Sequence, residues 1–179
     1  MQNSRLLLIK MAKKYYKIKV FCIDYSMNNV LKRVLYIILP IVMVAVLGSI
    51  FVNIGMEWFN LLAKPSQWIP NIVIPIVWTV IYVTFAIVLW NWTNTEKLKR
   101  STIALLVVNG VLNVLWCLIF FTLKQTFGGN IIIVLNLIFA VLLWINIFIQ
   151  KKVYSYFLSI YPIWVSVATT LNMALWILN

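Results

Sequence analysis

Five apolar runs, each long enough to cross a bilayer and none interrupted by a charge, constrain this chain more than any other feature. They are Val34 to Val52, Ile72 to Trp90, Thr102 to Leu123, Ile131 to Ile149 and Val153 to Leu178. A hydrocarbon core about 30 Å thick takes about 20 residues of helix. The three acidic residues, Asp24, Glu57 and Glu96, all fall outside the runs. Strands are a poor alternative because the runs are too long and lack period-two alternation. The chain has 179 residues, of which 64% are hydrophobic and 10% charged. Soluble domains average about 45–50% and about 25%. A water-soluble fold of this length cannot hide that much apolar surface. The expected fold is all-α: a polytopic membrane protein built as a five-transmembrane-helix bundle.

Charge orients the bundle. Fifteen Lys and Arg face three acids, for a net charge of +12. A basic chain can bind nucleic acid, but here the cations sit between apolar runs, and membrane orientation accounts for them. Eight lie in residues 1–33, one (Lys64) in the first connection, three (Lys97, Lys99, Arg100) in the second, one (Lys124) in the third and two (Lys151, Lys152) in the fourth. Basic connections stay in the cytoplasm. The N-terminus is therefore expected inside, with the first connection, Asn53 to Asn71, and the C-terminus outside.

Residues 1–33 read as a basic arm at the membrane surface. Leu6 to Ile9 is too short for the apolar core of a signal peptide. Translation from Met27, just ahead of the first run, is an open alternative start. A bacterial envelope is the expected location. A mitochondrial outer membrane is the alternative, because the first 23 residues lack acids. The chain has no His, and Cys22 and Cys117 form neither a CxxC nor a zinc spacing. No metal site and no cofactor are expected.

With charges absent from the runs, the remaining information lies in amides and aromatic rings. An amide in hydrocarbon must find a partner. Asn109, Asn113 and Trp116 share one helix face, as do Tyr161, Trp164, Ala168 and Asn172, Trp78 and Tyr82, and Asn136, Ala140 and Trp144. Turned inward, these stripes would line an interior of indoles, phenols and carboxamides. Such a lining suits a flat, largely apolar ligand. Interhelical glue explains the amides equally well. Trp90, Trp92 and Trp176, near run ends, read as interfacial belt residues. Gly128-Gly129 reads as a turn signal between the third and fourth runs.

Three motifs carry a family resemblance. Trp58 to Tyr82 reads WFNLLAKPSQWIPNIVIPIVWTVIY, Leu112 to Phe121 reads LNVLWCLIFF, and Tyr161 to Asn179 reads YPIWVSVATTLNMALWILN. In this order they resemble the first-loop and second-helix, third-helix and fifth-helix motifs of the tryptophan-rich sensory protein/translocator protein (TspO/MBR) family, the peripheral-type benzodiazepine receptors. There are departures. Pro70 stands without its usual proline neighbour, Pro75-Ile76 replaces Gly-Pro, and Pro162 follows Tyr161 where a proline usually precedes it. Leu171 to Asn179 lacks the tyrosine and basic residue of the animal cholesterol pattern.

The resemblance implies a homodimer of five-helix bundles whose pocket binds porphyrin, haem-type tetrapyrroles or sterols. It maps Trp78, Tyr82, Asn113, Trp116, Phe120, Trp164, Ala168 and Asn172 onto pocket positions. Asn109 and Tyr161 join them on the stripes above. A lid is implied from Trp58, Lys64, Pro65, Trp68 and Pro70. Sensing, transport or regulation of tetrapyrroles is the implied function. Light-driven porphyrin degradation, with Trp78 and Trp164 as the catalytic candidates, is the enzymatic alternative. A structural or channel-like subunit is the third. The charge pattern makes one outcome testable at once: a reporter fused after Asn179 should register outside the cytoplasm, and a cytoplasmic signal would overturn the orientation.

Overall fold

The computed structural model describes residues 30–66 and 69–179. Met27, Cys22 and Trp68 therefore lie outside the described residues. Five helices are long and apolar enough to cross a membrane: α1 (Val30–Leu61), α2 (Val73–Thr95), α3 (Arg100–Thr122), α4 (Thr126–Gln150) and α5 (Lys152–Leu178). No strand occurs among the described residues. The protein is thus an all-helical integral membrane protein. Val and Ile are common in these helices although they favour strands in water. In hydrocarbon a backbone must satisfy its own hydrogen bonds, and that requirement overrides propensity.

The chain divides into two compact units, Met1–Leu39 and Pro40–Asn179. The described part of the first is the start of α1. Its Val34–Ile38 stretch is a π turn, with the Leu39 N–H donating to the Val34 carbonyl. In the second unit α4 packs along both α3 and α5, and α2 packs chiefly on the first part of α5. Large aliphatic side chains cover the outside, among them Val46 and Ile50 on α1, Ile87 on α2 and Ile138 on α4. That surface faces lipid.

Glycines set the closest approach of α1 to α3. Gly48 and Gly55 are two turns apart and share a face. A Cβ at Gly48 would sit 3.5 Å from the Cys117 sulfur, and one at Gly55 would overlap the backbone carbonyl of Phe121. On α3, a Cβ at Gly110 would lie 3.1 Å from Val44. In lipid, where burial gives helices little mutual attraction, close backbone packing is a main source of association.

Two helices carry local breaks with identifiable causes. α3 ends in a π turn, Leu118–Thr122, in which the Leu123 N–H reaches the Leu118 carbonyl at 2.9 Å. This wide turn lets the consecutive residues Phe120 and Phe121 both point inward, and both are buried. α5 is interrupted at Ser159 between Lys152–Leu158 and Ile160–Leu178. Pro162 has no N–H to offer the Leu158 carbonyl. The Ser159 hydroxyl donates to the Tyr156 carbonyl at 2.7 Å beside the break. Pro75 lies in the first turn of α2, where a missing N–H costs nothing.

Several boundaries differ from the sequence expectation. α1 continues past Val52 to Leu61, so Asn53 and Trp58 belong to a helix and the first connection begins at Leu62. The polar residues after Val52 mask a continuing packing face, since Gly55 and Phe59 are both buried. Gly128 and Gly129 are not a turn but lie in the first turns of α4. A Cβ at Gly129 would come within 2.7 Å of the Phe120 ring, and one at Gly128 within 3.0 Å of Ile119. The glycines are there for proximity. The turn itself falls at Lys124, whose φ of 56° is left-handed. Trp92 is not a belt residue: it is 1% exposed, with its ring 5.8 Å from that of Tyr154.

At the same end of the bundle as Trp92, Glu96 and Lys151 form an ion pair that joins the α2–α3 and α4–α5 connections. Hydrogen bonding from Lys151 is the chief reason the Glu96 carboxyl is held below its ordinary value. A depressed carboxyl stabilises the fold above the ordinary carboxylate range and loses that contribution on acidification. The pair is exposed, so its contribution is small. The glycine contacts make a sharper prediction. Gly55→Ala should cost about 1–3 kcal/mol by overpacking, and the thermal midpoint in detergent should fall by about 2–4 °C per kcal/mol. Gly48→Ala should be neutral or stabilising, because its methyl finds ordinary contact distance and alanine is the better helix former. Equal midpoints for the two variants would show that α1 does not approach α3 as described.

Candidate functional site

Aromatic side chains converge where the last turns of α1 and α3 meet the start of α2 and the second part of α5. They surround a cavity of about 50 Å³. α1 supplies Phe59, α2 supplies Ile74 and Trp78, and α3 supplies Trp116, Phe120 and Phe121. α5 supplies Trp164, Ala168, Leu171, Asn172 and Leu175. The π turn of α3 is what places two adjacent phenylalanines in this wall. Trp116 stacks on Phe120 with ring centres 6.0 Å apart, and Trp58 meets Phe120 edge-on at 5.6 Å.

One polar chain runs behind the aromatic wall. The Trp116 indole N–H donates to the Asn172 side-chain oxygen at 3.2 Å. The Asn172 amide in turn donates to Asn130 on α4 at 2.6 Å. The Asn130 amide nitrogen and the Trp164 indole nitrogen are buried and have no partner among the described residues. A buried donor without an acceptor is costly in an apolar surround. A guest carrying an acceptor near Trp164 would relieve that cost.

A second polar knot lies apart from the cavity. The Tyr161 hydroxyl is 3.1 Å from both the Asn109 and the Asn136 side-chain oxygens. One hydroxyl proton serves only one acceptor at a time. Asn109 already commits its amide protons to the carbonyls of Leu105 at 2.7 Å and Phe139 at 3.1 Å. The Tyr161 proton is therefore shared between the Asn109 and Asn136 oxygens. Phe85 meets the Tyr161 ring edge-on at 5.4 Å.

The structure thus divides the residues expected at a site. Trp78, Trp116, Phe120, Trp164, Ala168 and Asn172 line the cavity. Asn109 and Tyr161 belong to the separate knot, and Asn113 is buried on the same face of α3. Tyr82 stacks on Trp78 at 5.8 Å but does not reach the lining. Trp144 turns to the α4–α5 junction, where its N–H donates to the Ser155 carbonyl at 3.0 Å. Of the residues assigned to a lid, Trp58 stands on the last turns of α1. Lys64 and Pro65 occupy the first connection, with the Lys64 ammonium 4.7 Å from the Phe59 ring centre. Pro70 precedes α2, where its carbonyl accepts the Val73 N–H at 2.9 Å.

Sequence reasoning missed Phe59, Phe121 and Asn130. Phe59 falls in a stretch whose polar residues suggest a connection, and Phe121 faces inward only because of the π turn. Asn130 directly follows the Gly128-Gly129 pair, which suggests a turn. None of the lining side chains is an acid or a base. The surface that faces the cavity is apolar, so the wall can stack on a guest but can move no proton.

The model of the TspO/MBR family matches residues 36–177. Protein CrtK of Rhodobacter capsulatus is 30% identical over 132 residues, covering 68% of this chain and 78% of that protein. The tryptophan-rich protein TspO of Chlorobaculum tepidum is 31% identical over 136 residues, covering 74% of this chain and 86% of its own length. The protein of the same name from Archaeoglobus fulgidus is 30% identical over 153 residues, 84% of this chain and 99% of that protein. The matched region holds all five helices apart from the first residues of α1 and the last of α5, together with every residue of the cavity wall, and on that extent the chain belongs to the TspO/MBR family.

Proposed function

We propose that this membrane protein binds a tetrapyrrole of the porphyrin or haem type between its helices and serves in sensing or transporting it. The observation that carries this reading is the cavity wall. Three indoles, three phenyl rings and one carboxamide surround a space that contains no ionisable side chain. Offset and edge-on packing of rings against a planar conjugated guest is favourable. The buried N–H of Trp164 supplies a donor for an acceptor on that guest. Lys64, held beside Phe59 at the edge of the wall, is placed to meet a propionate, although one lysine at the surface is a modest anchor. With no histidine in the chain, metal-free rings are accepted as well as metallated ones. A sterol fits the same apolar wall less specifically.

A cavity of about 50 Å³ is a closed form. Drug-sized ligands occupy about 300–1,000 Å³, so binding requires α1, α2 and the first connection to move away from α5. The charge pattern supports an orientation with Lys64 on the outer side and the Glu96–Lys151 pair on the cytoplasmic side. Assembly as a homodimer belongs to the same proposal.

Protoporphyrin IX tests it through tryptophan quenching. The chain has nine tryptophans, so a protein carrying Trp78→Phe and Trp164→Phe keeps seven reporters. Losing two indoles from the wall should weaken binding about tenfold, the scale of one to two aromatic contacts. Unchanged affinity would remove the cavity as the site. Loss of the Soret band under light in the wild type, abolished in Trp164→Phe, would instead assign the wall to porphyrin degradation.

A further inference from the structure

We propose that the end of the bundle carrying the α2–α3 and α4–α5 connections retains anionic phospholipid, with Arg100 and Lys152 as the residues that meet its phosphate. This surface is separate from the cavity and independent of the cavity's guest. Lys97, Lys99, Arg100, Lys151 and Lys152 stand in or beside these two connections. Glu96 is the one acid at this end among the described residues, because Glu57 lies on α1 toward the opposite end. Glu96 pairs with Lys151. Its carboxyl is held down chiefly by Lys151, with Lys99 contributing at longer range. Five cations against one acid leave this end strongly positive.

The frame fixes where these charges stand. The Gln150 amide donates to the Thr102 hydroxyl at 3.0 Å, and the Asn146 amide donates to the Ser101 hydroxyl at 3.2 Å. With the ion pair, these bonds tie the two connections together. On both sides a cation heads a stripe of lipid-facing side chains. Arg100, Ile103 and Val107 share one face of α3, and all three are exposed. Lys152 and Tyr156 share one face of α5, again exposed, beside the exposed Val153 and Phe157. The Lys152 ammonium lies 5.6 Å from the Phe148 ring centre, so it stays against the apolar surface. The rule that orients membrane proteins asks only for cations in a connection. It does not ask for one on the first residue of a long helix, where the positive end of the dipole opposes it. α3 begins at Arg100, with no acid in its first turn and no side-chain cap. A phosphodiester beside Arg100 offsets that repulsion while its acyl chains cover the stripe below. A free phosphate would leave the stripes unused.

The experiment titrates the full chain in detergent with dioleoyl phosphatidylglycerol or dioleoyl phosphatidylcholine and reads bound lipid by native mass spectrometry. Arg100→Gln combined with Lys152→Gln should weaken phosphatidylglycerol about tenfold, the scale of two interfacial cations, and leave phosphatidylcholine unchanged. Lys64→Gln combined with Lys124→Gln removes the same charge at the opposite end and should change neither lipid. Arg100→Lys combined with Lys152→Arg should keep the wild-type values, which separates loss of charge from loss of fold. An equal loss in the two glutamine pairs would reduce the effect to net charge and overturn the site. Unchanged phosphatidylglycerol binding in the first pair would also overturn it and leave the lipid to residues 1–33. Glycerol phosphate, which has no acyl chains, should not displace the lipid, and displacement would overturn a phospholipid as the ligand. No measurement here involves a porphyrin, so failure of protoporphyrin IX to bind would leave this proposal standing.

Discussion

A carboxamide or phenol buried among lipid-spanning helices has to meet another polar group of the protein, because the surrounding hydrocarbon supplies none. Much of this bundle is arranged around that requirement. Tyr161 ties α5 to Asn109 on α3 and Asn136 on α4. Asn172 ties α5 to Trp116 on α3 and Asn130 on α4. A third cluster joins Thr102 on α3 to Asn146 and Gln150 on α4. Polar side chains thus hold α3, α4 and α5 together at two heights, and α3 to α4 at a third. α2 meets α5 through ring contacts, Trp78 and Phe85 on Tyr161 and Trp92 on Tyr154. The cavity lies where α2 and α1 meet this three-helix frame.

The aromatic wall and the glycine contacts are one construction. Gly55 brings α1 onto the π turn of α3, and Gly129 brings α4 onto Phe120 from the other side. Phe120, 1% exposed, is clamped between them and presents a fixed face to the cavity. Three buried donors among the described residues have no hydrogen-bond partner, on Trp92, Asn130 and Trp164; Trp164 belongs to the wall and Asn130 lies behind it, whereas Trp92 lies away from it.

The helix count, the absence of strands and the inward stripes of α3 and α5 were legible because they depend on local rules: run length, charge exclusion and the spacing of residues along a helix. The cavity lining was legible in part. Trp116, Trp164, Ala168 and Asn172 repeat at helical spacing and share faces, and a regular helix keeps such residues together. Phe121 was not, because a π turn breaks that spacing. The role of Gly128 and Gly129 was misleading: glycine marks both turns and close contacts, and only the position of Phe120 distinguishes them. Trp92 was misplaced for a similar reason, since a tryptophan near a run end is either at the lipid interface or under a neighbouring connection.

The amino-acid sequence by itself determined that this chain crosses a membrane as five helices, because five uncharged runs of that length leave no other way to satisfy both side chains and backbone in a bilayer. It also determined which polar residues must face inward, since hydrocarbon would leave them without partners. Which inward residues meet was decided only by the tertiary structure. The separation of Tyr161 from the cavity and the pairing of Asn172 with Asn130 depend on how helices far apart in sequence are rotated and staggered. That arrangement is set by close contacts of glycine against backbone and ring, which no spacing within a single helix encodes.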